Sequence, residues 1–153
     1  MRPFPFVPLG IALLLMAACV VIHALVLALL FKWFNARRIP EVVGFARAAA
    51  LLVRVAFWMV VAHLLEMTIW AIAFVRLRAL PDFTEALYFS MVTYTTVGYG
   101  DVVLPEQWHV LAGIEGLTGI LMAGWSTGFL FAVVNRLMLH MERGQGGAGG
   151  SPA

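Results

Sequence analysis

Apolar positions in this chain neither alternate nor keep to one helical stripe; they run on. Three runs reach the roughly 20 residues that a helix needs to cross a bilayer core of about 30 Å. The first, Leu9 to Phe31, has no charged residue, and His23 is its only strongly polar member. The second runs from about Ala48 to Val75 and carries Arg54, His63 and Glu66. The third runs from about Trp108 to Leu139 and carries Glu115. Each is predicted to be helical, because lipid offers backbone N–H and C=O groups no partner outside their own segment. The first run also contains "LMAAC", which looks like a lipoprotein cleavage site ending at Cys19. However, "VVIHALVLALLF" stays apolar beyond it, where a cleaved secreted chain would turn polar, so a membrane-spanning helix is the better reading.

Between the second and third runs lie about thirty residues. Within them, Pro81 blocks a helix and "DFTE" forms a capping box, with Asp82 as N-cap and Glu85 three positions on. The pattern predicts a helix over 83–94, about 18 Å long at 1.5 Å per residue, which enters the membrane only part way. The chain then returns through "TTVGYGD", Thr95 to Asp101. The stretch "GQGGAGGSPA" at the end is low in complexity, and 141–153 is expected to be a disordered tail.

Composition agrees with lipid as the main solvent. Hydrophobic residues make up 63% and charged residues 12%, with a mean hydropathy of +0.95. The net charge of +2 is carried by basic residues at the ends of apolar runs, with no basic and aromatic face for a nucleic acid. Lys32, Arg37, Arg38, Arg47 and Arg54 crowd the link between the first two spans, against Glu41. By the positive-inside rule that link is cytoplasmic, so the amino terminus and "TTVGYGD" face outside and the carboxyl terminus inside. A single cysteine excludes an intrachain disulfide, and no nucleophile and base pair, nucleotide loop or complete metal set points to an enzyme.

Irregular backbone at membrane depth survives only when buried in protein or lining water. A segment that strips water from a cation must offer carbonyl oxygens in a ring, and one chain supplies one oxygen per layer, so several chains must meet. Gly98 and Gly100 permit dihedrals that let successive carbonyls turn to one side rather than alternate as in a strand.

"TTVGYGD" and its surroundings resemble the potassium channels, whose unit is outer helix, pore helix, selectivity filter and inner helix. The resemblance covers about Gly44 to Leu139. It implies an all-α membrane protein with three transmembrane helices plus a re-entrant pore helix and filter loop, assembling as a tetrameric pore. The implied division is an amino-terminal helix and cytoplasmic link (1–43), then a pore domain (44–140). That domain would comprise outer helix 48–76, pore helix 83–94, filter 95–101 and inner helix 108–139.

By the same resemblance, the carbonyls of Thr96, Val97, Gly98 and Tyr99, with the Thr96 hydroxyl, take the place of the hydration shell of permeant K+. Gly100 shapes the turn and Asp101 caps the outer mouth. Val97 and Tyr99 are expected to pack in a cuff with Tyr88 and Phe89. The chain departs from many members in having these two residues where paired tryptophans are common, and Val92 where some carry a carboxylate behind the filter. Support for Asp101 would then come from elsewhere, the Tyr88 hydroxyl being one candidate.

Several other residues are singled out. Glu115, an intramembrane acid, either bonds behind the filter or pore helix, or faces the water-filled pore or sits protonated. Gly119, Gly124 and Gly128 serve close packing or a hinge, although the family's hinge position falls on Ile120. Trp125 and Phe129 face either the pore axis or lipid. His63 and Glu66, three apart, share a helix face. Packing against the first helix, with His23 as polar partner, is favoured there over a metal site.

The resulting expectation is a homotetrameric potassium-selective channel in the cell membrane, surrounded by lipid and conducting passively. It has neither an arginine-repeat voltage sensor nor a ligand-binding domain, so a separate gating partner is an option. A potassium transporter would need four filter segments in one chain. An accessory or regulatory subunit of another potassium channel is the main alternative.

Overall fold

Each apolar run folds as a single helix. The computed structural model describes residues 6–36 and 44–146, with side chains as far as 139. Arg37, Arg38 and Glu41, which carry part of the predicted orientation, and the predicted tail from 147 onward lie outside the described residues.

The elements are α1 (Phe6–Ala36), α2 (Phe45–Arg76), the short α3 (Phe83–Tyr94) and α4 (His109–Gly146), the last preceded by a 3₁₀ turn at Glu106–Trp108. No strand occurs among the described residues. Three helices, α1, α2 and α4, are long and apolar enough to cross a membrane, so this is an all-α membrane protein with a short fourth helix between its second and third spans.

The last helix corrects one expectation. It continues through Gly146, so 141–146, predicted to be disordered, is helical. The physical reason is local: from Leu137 to Arg143 the residues are mostly good helix formers, and the first glycine after Gly128 is Gly144.

The turn that sends the chain from α2 into α3 has no glycine. Arg78 takes a left-handed conformation (φ 53). Its amide donates to the Val75 carbonyl at 3.0 Å and the Ala79 amide to the Phe74 carbonyl at 2.9 Å. This is the paired bonding of a Schellman end, which satisfies carbonyls that a helix terminus would leave free. Four residues later Asp82 caps α3, its Oδ1 accepting from the Glu85 amide at 2.9 Å.

Although α1 is apolar on every side, only one stripe of it is buried: Ala12, Cys19, His23, Leu30 and Phe34, spaced seven and four apart. That stripe lies against α2 and α4. The main core contains the fully buried Trp70, Phe74, Leu111 and Met122. Here α3 docks through Phe89, whose ring meets Phe74 edge-on at 5.3 Å.

At the other end, Phe34, Ala48, Val133 and Leu137 form a second cluster. Arg136 donates to Asn35 Oδ1 at 2.5 Å and covers the Phe34 ring, while Arg54 lies over Trp33. Aromatic rings under guanidinium groups suit the boundary between lipid and water.

Candidate functional site

The end of α3 would leave four carbonyls without amide partners. The segment that follows folds back over them. Thr95 N donates to Met91 O (3.2 Å), Thr96 N to Thr93 O (2.9 Å), and the amides of Val97 and Gly98 both donate to Val92 O (3.0 and 3.2 Å). Four consecutive amides are thus turned toward α3.

Every second residue here has positive φ: Thr96 (62), Gly98 (52) and Gly100 (77). Alternation between the two hands of backbone places successive N–H groups on one side and the carbonyls on the other, the geometry of an anion nest read from its opposite face. Among the described residues, no backbone amide donates to the carbonyls of Thr96, Val97, Gly98 or Tyr99. Such a row is held by its own amides and open to a cation.

Two of the three positive-φ positions are glycines, as the motif requires. The third, Thr96, was not foreseen: a β-branched residue there is strained, by about 1–3 kcal/mol, and persists only if the surroundings impose it. The bonds from Thr96, Val97 and Gly98 back to α3 are that imposition.

The expected cuff around the segment is not formed within one chain. Phe89 is turned into the core against Phe74, and Val97 and Tyr99 are 52% and 73% exposed. Tyr88 points elsewhere too: its hydroxyl donates to Asp101 Oδ2 at 2.5 Å, while Asp101 Oδ1 accepts from the Val102 amide at 3.1 Å. Val92 lines a cleft of about 270 Å³ behind the segment, shared with Gly98, Asp101 and Ala112.

The Tyr88 hydrogen bond, more than any other influence, holds the Asp101 carboxyl below its ordinary range. A depressed carboxyl contributes stability at pH values above its unfolded pKa, near 4, and that contribution is lost as pH falls through the lower folded value. Tyr88→Phe is expected to raise the pH at which Asp101 titrates, followed by NMR of its carboxyl carbon. An unchanged midpoint would show that the contact has no electrostatic effect.

Glu115 is fully buried behind α3, not open to water. Its Oε1 is hydrogen-bonded to the Ser90 hydroxyl, which also reaches the Met67 carbonyl at 2.9 Å, so three helices meet at one serine. Among the described residues Glu115 Oε2 has no hydrogen-bond partner. Glu115→Gln is expected to keep the fold, because an amide supplies a donor to Ser90 while Ser90 bonds Met67. Glu115→Ala should lower stability by about 2–4 kcal/mol, through the cavity it leaves and the lost bond to Ser90. Thermal melting in detergent checks both, and equal losses would mean that the hydrogen bond is immaterial.

The glycines of α4 divide. A Cβ on Gly119 would lie 1.9 Å from the Tyr94 carbonyl oxygen, so α4 touches the backbone of α3 there. At Gly124 and Gly128 nothing lies within 4 Å, so the predicted close packing of that pair is not made within the described chain. Ile120, at the expected hinge position, is exposed beside Gly119. Phe129 packs with the clusters around Phe34 and Leu30, while Trp125 is half exposed with its ring 6.3 Å from that of His23.

Finally, the polar residues of the second span find His23, which accounts for its place on the buried stripe of α1: its Nδ1 is 2.9 Å from Glu66 Oε1. Tyr94 and Ser126 join the same group, and neither was anticipated in it. Ser126 is 103 positions from His23, and no local pattern links the two.

Two membrane-spanning helices enclosing a short helix and an irregular carbonyl-bearing segment define a pore-loop architecture. A family model described as "ion channel" matches residues 55–136, more than half of the chain and all of this architecture except the start of α2 and the end of α4. The chain belongs to that ion channel family. Comparison with curated proteins and with solved structures gives no match.

Proposed function

We propose that four copies of this chain form a potassium-selective channel, with the carbonyls of Thr96, Val97, Gly98 and Tyr99 and the Thr96 hydroxyl as the ligands of permeant K+. The observation that carries this reading is the alternation of φ sign at Thr96, Gly98 and Gly100, with the Thr95 to Gly98 amides donated to α3. Among the described residues it leaves a row of oxygens that accept from no backbone amide, the arrangement a dehydrated cation requires.

One chain gives one edge of such a site. The exposed Val97 and Tyr99 side chains offer apolar surface that neighbouring copies would cover. The carboxyl end of α3, with its partial negative charge, lies next to the segment and favours a cation nearby. Gly100, Asp101, Tyr88 and Glu115 act as supports, the first by its dihedral (φ 77) and the others through their hydrogen bonds.

Charge favours an outward-facing filter in the cell membrane. Lys32, Arg47, Arg54 and Arg136 lie toward the end of the bundle away from the filter; on the filter side Arg76 and Arg78 are outnumbered by Asp82, Glu85, Asp101 and Glu106.

Purified protein in liposomes with a potassium gradient tests the proposal. Potassium flux blocked by barium, with little sodium flux, is the expected result. Equal sodium and potassium flux would refute selectivity, and no flux from tetramers would favour an accessory subunit.

A further inference from the structure

We propose that His23, His63 and Glu66 form a binding site for a divalent transition-metal cation, Zn2+ by its ligand chemistry, joining α1 and α2 beside the last residue of α3. Their ligand atoms lie within 4.8 Å of one another. The two imidazoles stand side by side, ring centroids 5.2 Å apart, and their Nδ1 atoms meet the same carboxylate. His23 Nδ1 is 2.9 Å from Glu66 Oε1, and His63 Nδ1 is 3.4 Å from Glu66 Oε2. A tetrahedral zinc ion with bonds of about 2.0–2.1 Å holds its ligand atoms roughly 3.3 Å apart, so small side-chain shifts suffice. The Tyr94 hydroxyl, 3.2 Å from His63 Nδ1 and hydrogen-bonded to Glu66, stands at the fourth position.

The far sides of the rings are arranged to match. His63 Nε2 and His23 Nε2 lie 3.0 and 3.2 Å from the same Ser126 hydroxyl. One oxygen with two lone pairs accepts from both Nε2–H groups, which leaves both Nδ1 lone pairs free for an ion. A metal-binding histidine commonly has such a partner on its other nitrogen.

A proton count gives the second argument. Two neutral imidazoles, Ser126 and Tyr94 bring four protons to five hydrogen-bond contacts. One contact is therefore lone pair against lone pair, in a place where His23 and Glu66 are fully buried. A cation between the Nδ1 atoms and the carboxylate removes that conflict. An extra proton would also remove it, and the experiment below separates the two.

Access exists from one side. The His63 side chain, 19% exposed, lines a cleft of about 530 Å³ together with Thr95, Thr96, Gly119 and Ala123. A bound ion would tie α1, α2 and Tyr94 together, and the Tyr94 carbonyl is the atom that Gly119 abuts. Binding is read without any ion flux, so its failure is distinct from failure of the channel reading.

The test is equilibrium dialysis of the tag-free purified chain against Zn2+, with bound metal counted by mass spectrometry. One ion per chain is expected. It should be lost in His63→Gln, the mildest change because that side chain is partly exposed, and weakened roughly 10–100-fold in Ser126→Ala. Co2+ provides a check on the wild-type protein alone, through the visible absorption of a four-coordinate nitrogen and oxygen site. Wild-type protein binding no more Zn2+ than folded His63→Gln, or a six-coordinate Co2+ spectrum, would overturn the proposal and leave the extra proton as the occupant.

Discussion

Gly119→Ala is expected to remove most of the folded protein, whereas Gly124→Ala, five positions along the same helix, is expected to be harmless. The added methyl at 119 would sit 1.9 Å from the Tyr94 carbonyl oxygen and 2.8 Å from its carbon. Overpacking usually costs about 1–3 kcal/mol where side chains can shift aside. Here the obstacle is backbone, and the same residue ends α3 and leads into the carbonyl-bearing segment. Relief requires α4 and α3 to separate, which would disturb the Ser90 to Glu115 contact one turn away. The effect should reach or exceed the top of that range, against a total stability of about 5–15 kcal/mol. At 124 nothing in the described chain lies within 4 Å, and alanine is the better helix former by about 1 kcal/mol. Melting temperature and folded yield in detergent decide the matter, and similar losses in both variants would refute the close-approach argument.

Gly98→Ala and Gly100→Ala are expected to do the opposite: little change in melting temperature but loss of the proposed preference for potassium over sodium. Neither glycine has an atom within 4 Å of a Cβ in the described chain, so the cost is conformational, not steric. An L-residue held at φ 52 or 77 costs roughly 1–2 kcal/mol. The segment can escape that cost by rotating the peptide, which carries one carbonyl out of the row. Paired potassium and sodium fluxes in liposomes provide the readout. Retained selectivity in both variants would mean that the positive φ angles are not what aligns the oxygens.

Legibility in the sequence followed the range of the interactions. The three spans are written as uninterrupted apolar runs, and the start of α3 as Pro81 followed by Asp82 and Glu85, because these signals act within a few residues. Arg78 and Thr96 were hidden for a different reason. Both hold left-handed backbone that their residue types disfavour, and each does so because amides that follow are bonded to the preceding helix. The buried face of α1 was equally hidden, since a helix apolar all round has no moment to read; only contact with α2 and α4 selects the stripe through His23. Phe89 shows the limit of carrying a position over from a resemblance. The ring fills a space beside Phe74 that this chain's own core provides.

The contact between Gly119 and Tyr94 also has a mechanical side. From Gly119 to the end of α4 at Gly146 is about 40 Å of helix at 1.5 Å per residue. A tilt of about 5° around that pinned point sweeps the far end through roughly 3.5 Å, for a helix taken as straight. Val133 and Leu137, on that arm, share their apolar cluster with Phe34, so such a tilt would carry the end of α1 with it.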